Sequence, residues 1–146
     1  MKQLIYLFSF LLLTSISISS CKKSSSSNNS IVGDWELISL NQVSVDSTTT
    51  PITVTKTDTT VTHGHSIVIS FFADNTFSEY DYTSYPPSLS QSGTYVALGD
   101  SLTIFDGSST TGSNLGYKVS GNLLTISINS SSPGSSSSAT EKLNRL

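Results

Sequence analysis

Few side chains in this sequence are placed to do chemistry, and the most definite of them is Cys21, the only cysteine among 146 residues. Its thiolate is a strong nucleophile, and Ile18 and the two small residues Ser19-Ser20 lead into it. His63-Gly64-His65 is the one arrangement with metal-ligand spacing. Residues two apart on a strand share a face, so both imidazoles can meet one ion. A site needs a third and fourth ligand, and nothing in the spacing selects Asp58, Asp74 or Glu79. The bland reading is a polar hairpin with two solvated histidines, so no metal and no cofactor is expected. Glu79 and Asp81 also share a strand face. They suit general acid and base work, or they form the solvated side of that strand. Serine, histidine and acid are all present, but 33 serines make any triad drawn on paper uninformative. There is no Gly-Xaa-Ser-Xaa-Gly elbow and no glycine-rich phosphate loop. The sequence therefore does not read as an enzyme.

The residues around Cys21 state an address. Lys2, an apolar block from Leu4 to Leu13 and small residues before the break form a secretory signal peptide, residues 1–20. The block is too short for a spanning helix, which needs roughly 20 apolar residues. Ile18-Ser19-Ser20-Cys21 resembles the lipobox of bacterial lipoproteins. That resemblance implies that Cys21 becomes the first residue of the mature chain and carries the lipid. Ile18 departs mildly from the leucine usual three places earlier. Two or three acyl chains, at about 0.8 kcal/mol per buried methylene, anchor durably where one does not. Residues 21–30 then form a lipid-anchored, serine-rich tether. Lys22 in place of an aspartate points to the outer membrane of a Gram-negative envelope, with the face left open.

Charge and thiol count narrow the classes further. Without Lys2, six basic side chains stand against ten acidic ones, a side-chain charge of −4. Nucleic-acid binding has no electrostatic basis at that charge. With Cys21 acylated no thiol remains, so the domain must hold together by packing alone.

Residues 31–146 have room for one domain. Ser and Thr make up 51 of the 146 residues. Apolar residues nevertheless come in short alternating runs bounded by Gly, Asn, Asp and Pro, which is a strand signature. No segment has helical apolar spacing over a dozen residues. Strands are expected at Trp35 to Leu40, Ile52 to Thr62, Ser66 to Phe72, Thr76 to Tyr82, Gly93 to Ala97, Ser101 to Phe105, Gly116 to Val119, Leu123 to Asn129 and Thr140 to Leu146. In the first, Trp35 and Leu37 share one face and Ile38 and Leu40 the other, so its inward side is open. Asp106 to Leu115 and Ser130 to Ser138 read as loops. The fold class is all-β: an antiparallel up-and-down meander of about eight strands, which closes on itself to remove its edges.

Ordered motifs accompany that pattern. Gly33-Asp34-Trp35 resembles the opening of lipocalin-like barrels. Ile69-Ser70-Phe71-Phe72-Ala73-Asp74-Asn75-Thr76-Phe77, Gly93-Thr94-Tyr95, Leu102-Thr103-Ile104, Asn122-Leu123-Leu124-Thr125-Ile126 and Glu141-Lys142-Leu143-Asn144-Arg145-Leu146 follow in the order found in small lipocalin-like lipoproteins of Gram-negative bacteria. The resemblance covers residues 31–146. It implies that Gly33, Trp35 and Arg145 close the barrel base, with Arg145 over the indole. It implies a non-enzymatic binding barrel for a small apolar or amphipathic ligand, with Phe71, Phe77, Leu102, Ile104, Ile126 and Ile128 as candidate cavity lining. The alternative is a filled barrel serving as an accessory of an outer-membrane or surface assembly, its partner an envelope protein. Tyr80, Tyr82, Tyr85 and Tyr95 form either an aromatic rim for a flat ligand or core and cap residues. Asp46-Ser47-Thr48, Asp58-Thr59-Thr60 and Asp100-Ser101-Leu102 resemble acceptor motifs for bacterial O-glycosylation.

Replacing Cys21 tests the address. Cys21→Ser protein is expected to lose its acyl mass and to leave the detergent phase on phase separation, while the parent chain stays in it.

Overall fold

The computed structural model describes residues 30–146. Residues 1–29, where the signal peptide, the acylated Cys21 and most of the tether are expected, lie outside the described residues. Nine strands follow one another: β1 (Gly33–Asp46), β2 (Thr53–Thr60), β3 (Ile67–Phe71), β4 (Thr76–Asp81), β5 (Ser88–Leu98), β6 (Ser101–Asp106), β7 (Ser113–Ser120), β8 (Leu123–Ser132) and β9 (Ser135–Arg145). All pairings are antiparallel, in the order β2-β1-β3-β4-β5-β6-β7-β8-β9, and β1 also pairs with β9. Eight strands thus close into a small lipocalin-like barrel, and β2 is an additional strand outside the ring.

Strand β1 does most of the topological work. Its first residues pair with β3, from Gly33↔Phe71 to Glu36↔Val68. Its later residues pair on the same edge with β2, from Ser39↔Thr60 to Asp46↔Thr53. Its other edge pairs with β9 from Trp35↔Arg145 to Asp46↔Ser135, with a register shift between Leu37 and Ser39. That bulge inserts Ile38 and resets the alternation. Trp35 and Leu37 therefore point inward below it and Leu40 above it. The two apolar faces read from the sequence are both inward, in succession.

Hairpin chemistry explains several connections. Asn75 turns β3 into β4 with φ +66°, a conformation that asparagine tolerates. Asp74 accepts from the Thr76 amide at 3.0 Å and its hydroxyl at 2.6 Å. The same Asp-Xaa-Thr bond pair recurs at Asp46 with Thr48 and at Asp81 with Thr83. At each, the threonine hydroxyl and then its amide hold the carboxyl below its ordinary range. The threonine content thus serves turns as well as strands.

Several expected boundaries are corrected. Ser130 to Ser138 is no loop: β8 and β9 run on through the serines and turn at Pro133-Gly134. Serine lacks the apolar alternation that marks a strand, yet its backbone pairs as well as any other. Ile52 to Thr62 is a single strand, shorter at both ends. β1 and β5 are longer than their apolar runs, and the stretch between Asp106 and Leu115 shortens to the six residues linking β6 to β7.

The core sits at the end of the barrel where β1 begins. Trp35, Leu102, Leu124 and Leu143 are wholly buried, and Phe71, Phe77, Tyr95 and Ile126 nearly so. Phe71 meets the edge of Tyr95 at 5.0 Å between ring centroids and lies 6.3 Å from Phe77. Each such side chain contributes about 1.5–3 kcal/mol by burial, which must stand in for absent disulfides. Towards the other end, inward residues such as Ile67, Ile104 and Ile128 are only half-buried.

Gly93 gives a test of this packing. A Cβ there would meet the Phe105 carbonyl oxygen at 2.0 Å, whereas one at Gly116 meets nothing closer than 3.6 Å. Gly93→Ala is expected to destabilise by about 1–3 kcal/mol in urea unfolding, and Gly116→Ala by much less.

Candidate functional site

The barrel base brings together the three residues expected there. The Trp35 indole N–H donates to the Ile31 carbonyl at 2.6 Å. The Arg145 guanidinium carbon lies 4.5 Å from the Trp35 ring centroid, within cation–π range. Arg145 also donates to the Ser30 carbonyl at 2.5 Å, and its backbone amide to Asn122 at 2.9 Å. Although Arg145 is next to last, Leu146 is held as well, its amide bonding the Asp34 carbonyl at 3.0 Å. Gly33 has φ +139°, and a Cβ there would sit 3.9 Å from the guanidinium. The arrangement plugs the base and fixes Ser30 and Ile31 there.

The six residues expected to line a cavity divide. Phe71, Phe77, Leu102 and Ile126 are packed in the core at 1, 3, 0 and 2 % exposure. Ile104 and Ile128 sit higher, partly buried against them. Four grooves on the described residues, at the β1–β9 ribbon, along β2, over β7–β8 and on the outer wall, include none of the six in their lining. Above the core the inward face turns acidic. Glu79 and Asp81 follow buried Phe77 on β4 and oppose Ile69 and Ile67, so they share the inward face of that strand while staying partly exposed. Glu141 opposes buried Ile126. Burial, and then repulsion from Glu79, pushes the Glu141 carboxyl above its ordinary value.

A second cluster lies on the outer wall, where a groove of about 390 Å³ crosses β1, β3 and β4. Glu36 faces it, yet is only 5 % exposed. One of its oxygens accepts from the Gly64 amide and the Ser66 hydroxyl, both at 2.8 Å, and the other meets His63 Nδ1. Burial alone would raise the Glu36 carboxyl. The bonds from Gly64, His63 and Ser66, with the charge of His63, outweigh it and hold it below the ordinary value. A carboxylate orienting an imidazole is the geometry of many acid–base sites. Here neither serine is paired with the imidazole: Ser66 serves Glu36, and Ser70 donates to Asp34 at 2.6 Å. The cluster therefore latches the His63–Ser66 loop onto the wall.

His65 does not join His63, and among the described residues no group of three or more His, Cys, Asp or Glu is placed to hold a metal. The tyrosines separate too. Tyr80 and Tyr82 border the outer groove with ring centroids 6.5 Å apart. Tyr95 is in the core, its hydroxyl donating to the Phe72 carbonyl at 2.8 Å, and Tyr85 is 96 % exposed in a loop. Sequence reasoning missed the Glu36 cluster. The only signal was an acid within an otherwise apolar strand, and nothing local joins it to residues 27 to 30 positions later.

Comparison with protein-family profiles, curated proteins and solved structures finds no match to this chain.

The two shifted glutamates give pH signatures of opposite sign. The lowered carboxyl of Glu36 stabilises the fold above its ordinary value of 4.5, and that contribution is lost as pH falls through its folded value. The raised carboxyl of Glu141 instead costs stability, a cost that builds as pH rises from its ordinary value of 4.5 through its folded value and persists above it. At pH 7 Glu36→Gln is therefore expected to lower the unfolding midpoint and Glu141→Gln to raise it. Both differences shrink in thermal melts at acid pH.

Proposed function

We propose that this chain is a lipid-anchored, non-enzymatic interaction module of the cell envelope, similar to small lipocalin-like lipoproteins. On this reading the outer membrane holds the acylated Cys21. The barrel is a filled scaffold, and recognition takes place on its outside. The observation that carries the reading is the state of the expected cavity: four of its six residues are core side chains at 3 % exposure or less. A ligand of drug-like size asks for a concavity of about 300–1,000 Å³ that buries most of its surface. Rings in edge contact at 5.0 Å leave no such room at the base. The surface features fit the same reading: an unpaired strand edge on β2 and exposed apolar residues on the β5–β6 hairpin, Val96 and Leu98.

The second reading, a small amphipathic ligand held in the barrel, is favoured by the half-buried Ile104 and Ile128 above the core. Such a ligand would have to lie shallowly beside Glu79 and Glu141.

Native mass spectrometry of protein purified from the envelope separates the two. The scaffold reading expects the acylated chain without a retained small molecule, and oleate titration without saturable binding. A stoichiometric adduct of a few hundred daltons, lost on Ile104→Trp or Ile128→Trp, would overturn it.

A further inference from the structure

Strand β2 is anomalous. It lies outside the closed ring, pairs only with β1, and exposes every residue from Thr53 to Thr60. Its sequence, Thr-Val-Thr-Lys-Thr-Asp-Thr-Thr, is rich in strand formers, so its free edge offers unpaired backbone donors and acceptors. From this edge we infer that β2 pairs antiparallel with β2 of a second copy of the chain, about a two-fold axis at Thr57.

The argument is one of register. An antiparallel pair related by a two-fold axis normal to the sheet keeps the same side chains on the same face. Directly opposed residues must share a face, so the axis passes through a residue and not between two. Centred on Thr57, the pairing sets Lys56 opposite Asp58 of the second copy, twice, with Thr55 opposite Thr59 and Val54 opposite Thr60. Centred one residue either way, it sets Lys56 against Lys56 or Asp58 against Asp58, which is repulsive. Charge thus selects one register and penalises its neighbours.

The two charges are presented for this. Lys56 and Asp58 lie on the same face of β2, on the side of the sheet away from the barrel interior. The Asn41 side-chain amide bonds the Asp58 carboxylate across the β1–β2 pair and fixes it there. Lys56 sits opposite Val43, and the sole ion-pair contact among the described residues is His63–Glu36. Like the other described lysines, Lys56 has no acidic partner among the described residues, and its place on the free edge opens its cation to an acid from another chain. Lipid anchoring would hold copies at high effective concentration, which compensates for a short interface. The axis sets the two barrels head to tail, with their plugged bases at opposite ends. A lysine on an edge strand can also serve only to block pairing. The experiment decides between the two roles.

The inference rests on reading the chain as an interaction module and names its partner. The test uses the full lipidated protein in the envelope, where acylation of Cys21 leaves an introduced cysteine as the sole thiol. Thr57→Cys places two thiols across the axis, and mild copper-catalysed oxidation is expected to yield a disulfide dimer. Thr53→Cys places them about 27 Å apart and is expected to yield none. In the Thr57→Cys background, Lys56→Asp or Asp58→Lys is expected to reduce the dimer at least fivefold, and the double exchange to restore it. Absence of the Thr57 dimer, equal dimer from position 53, or a yield indifferent to the charge variants would each overturn the inference. None of those outcomes bears on ligand retention, which judges the module reading separately.

Discussion

The fold depends on β1 serving three neighbours. A meander of eight short strands has two edges, and it becomes a barrel only when the first strand meets the last. β1 meets β9 along nearly its whole length, while its other edge is divided between β3 below and β2 above. The bulge at Ile38 allows this. It keeps Trp35 and Leu37 on the core side and returns Leu40 to that side after the register shift. Arg145 then closes the ring from the far end of the chain, bonded to Ser30 and stacked on Trp35. Residues 115 positions apart form one plug, so the first described residues and the end of the last strand are held together.

Much of this was legible in the sequence. Alternation of Ile67, Ile69 and Phe71, the turn at Asp74-Asn75, and the runs around Leu102 and Leu124 mark strands because burial and period coincide there. The threonine-rich β2 was legible because threonine is itself a strand former, but the serine-rich strand ends were not. Ser130–Ser132 and Ser135–Ser138 pair through backbone alone, and serine carries no period. The doubled face of β1 looked ambiguous because a bulge has no side-chain signature. The inward glutamates and the Glu36 latch were hidden for a related reason. Tertiary contacts between β1 and the His63–Ser66 loop, or across the barrel from Glu79 to Glu141, leave no local spacing.

The division of polar groups also shapes the functional reading. Glu79, Asp81 and Glu141 point into the barrel above the core, whereas Lys56, Lys118 and Lys142 are on its outside, as are Asp34, Glu36 and Asp58. An apolar base, an acidic upper interior and a threonine-rich outer sheet make three zones with different chemistry. A deep apolar ligand suits none of them well, and among the described residues the outward surfaces have the free edge of β2 and the lysines without an ion-pair partner. The serine- and threonine-rich strands are consistent with this division: they extend the sheet beyond the core without requiring more apolar residues to cover it.

The claim that closure at the base holds the molecule can be measured directly by amide hydrogen exchange of the native protein. Amides of Trp35, Leu124 and Leu143 are expected to exchange only through global unfolding, and those of Val54 to Thr59 far faster, since β2 leans on the barrel without closing it. Equal protection across all nine strands, or faster exchange at Trp35 and Leu143 than in β2, would contradict the account.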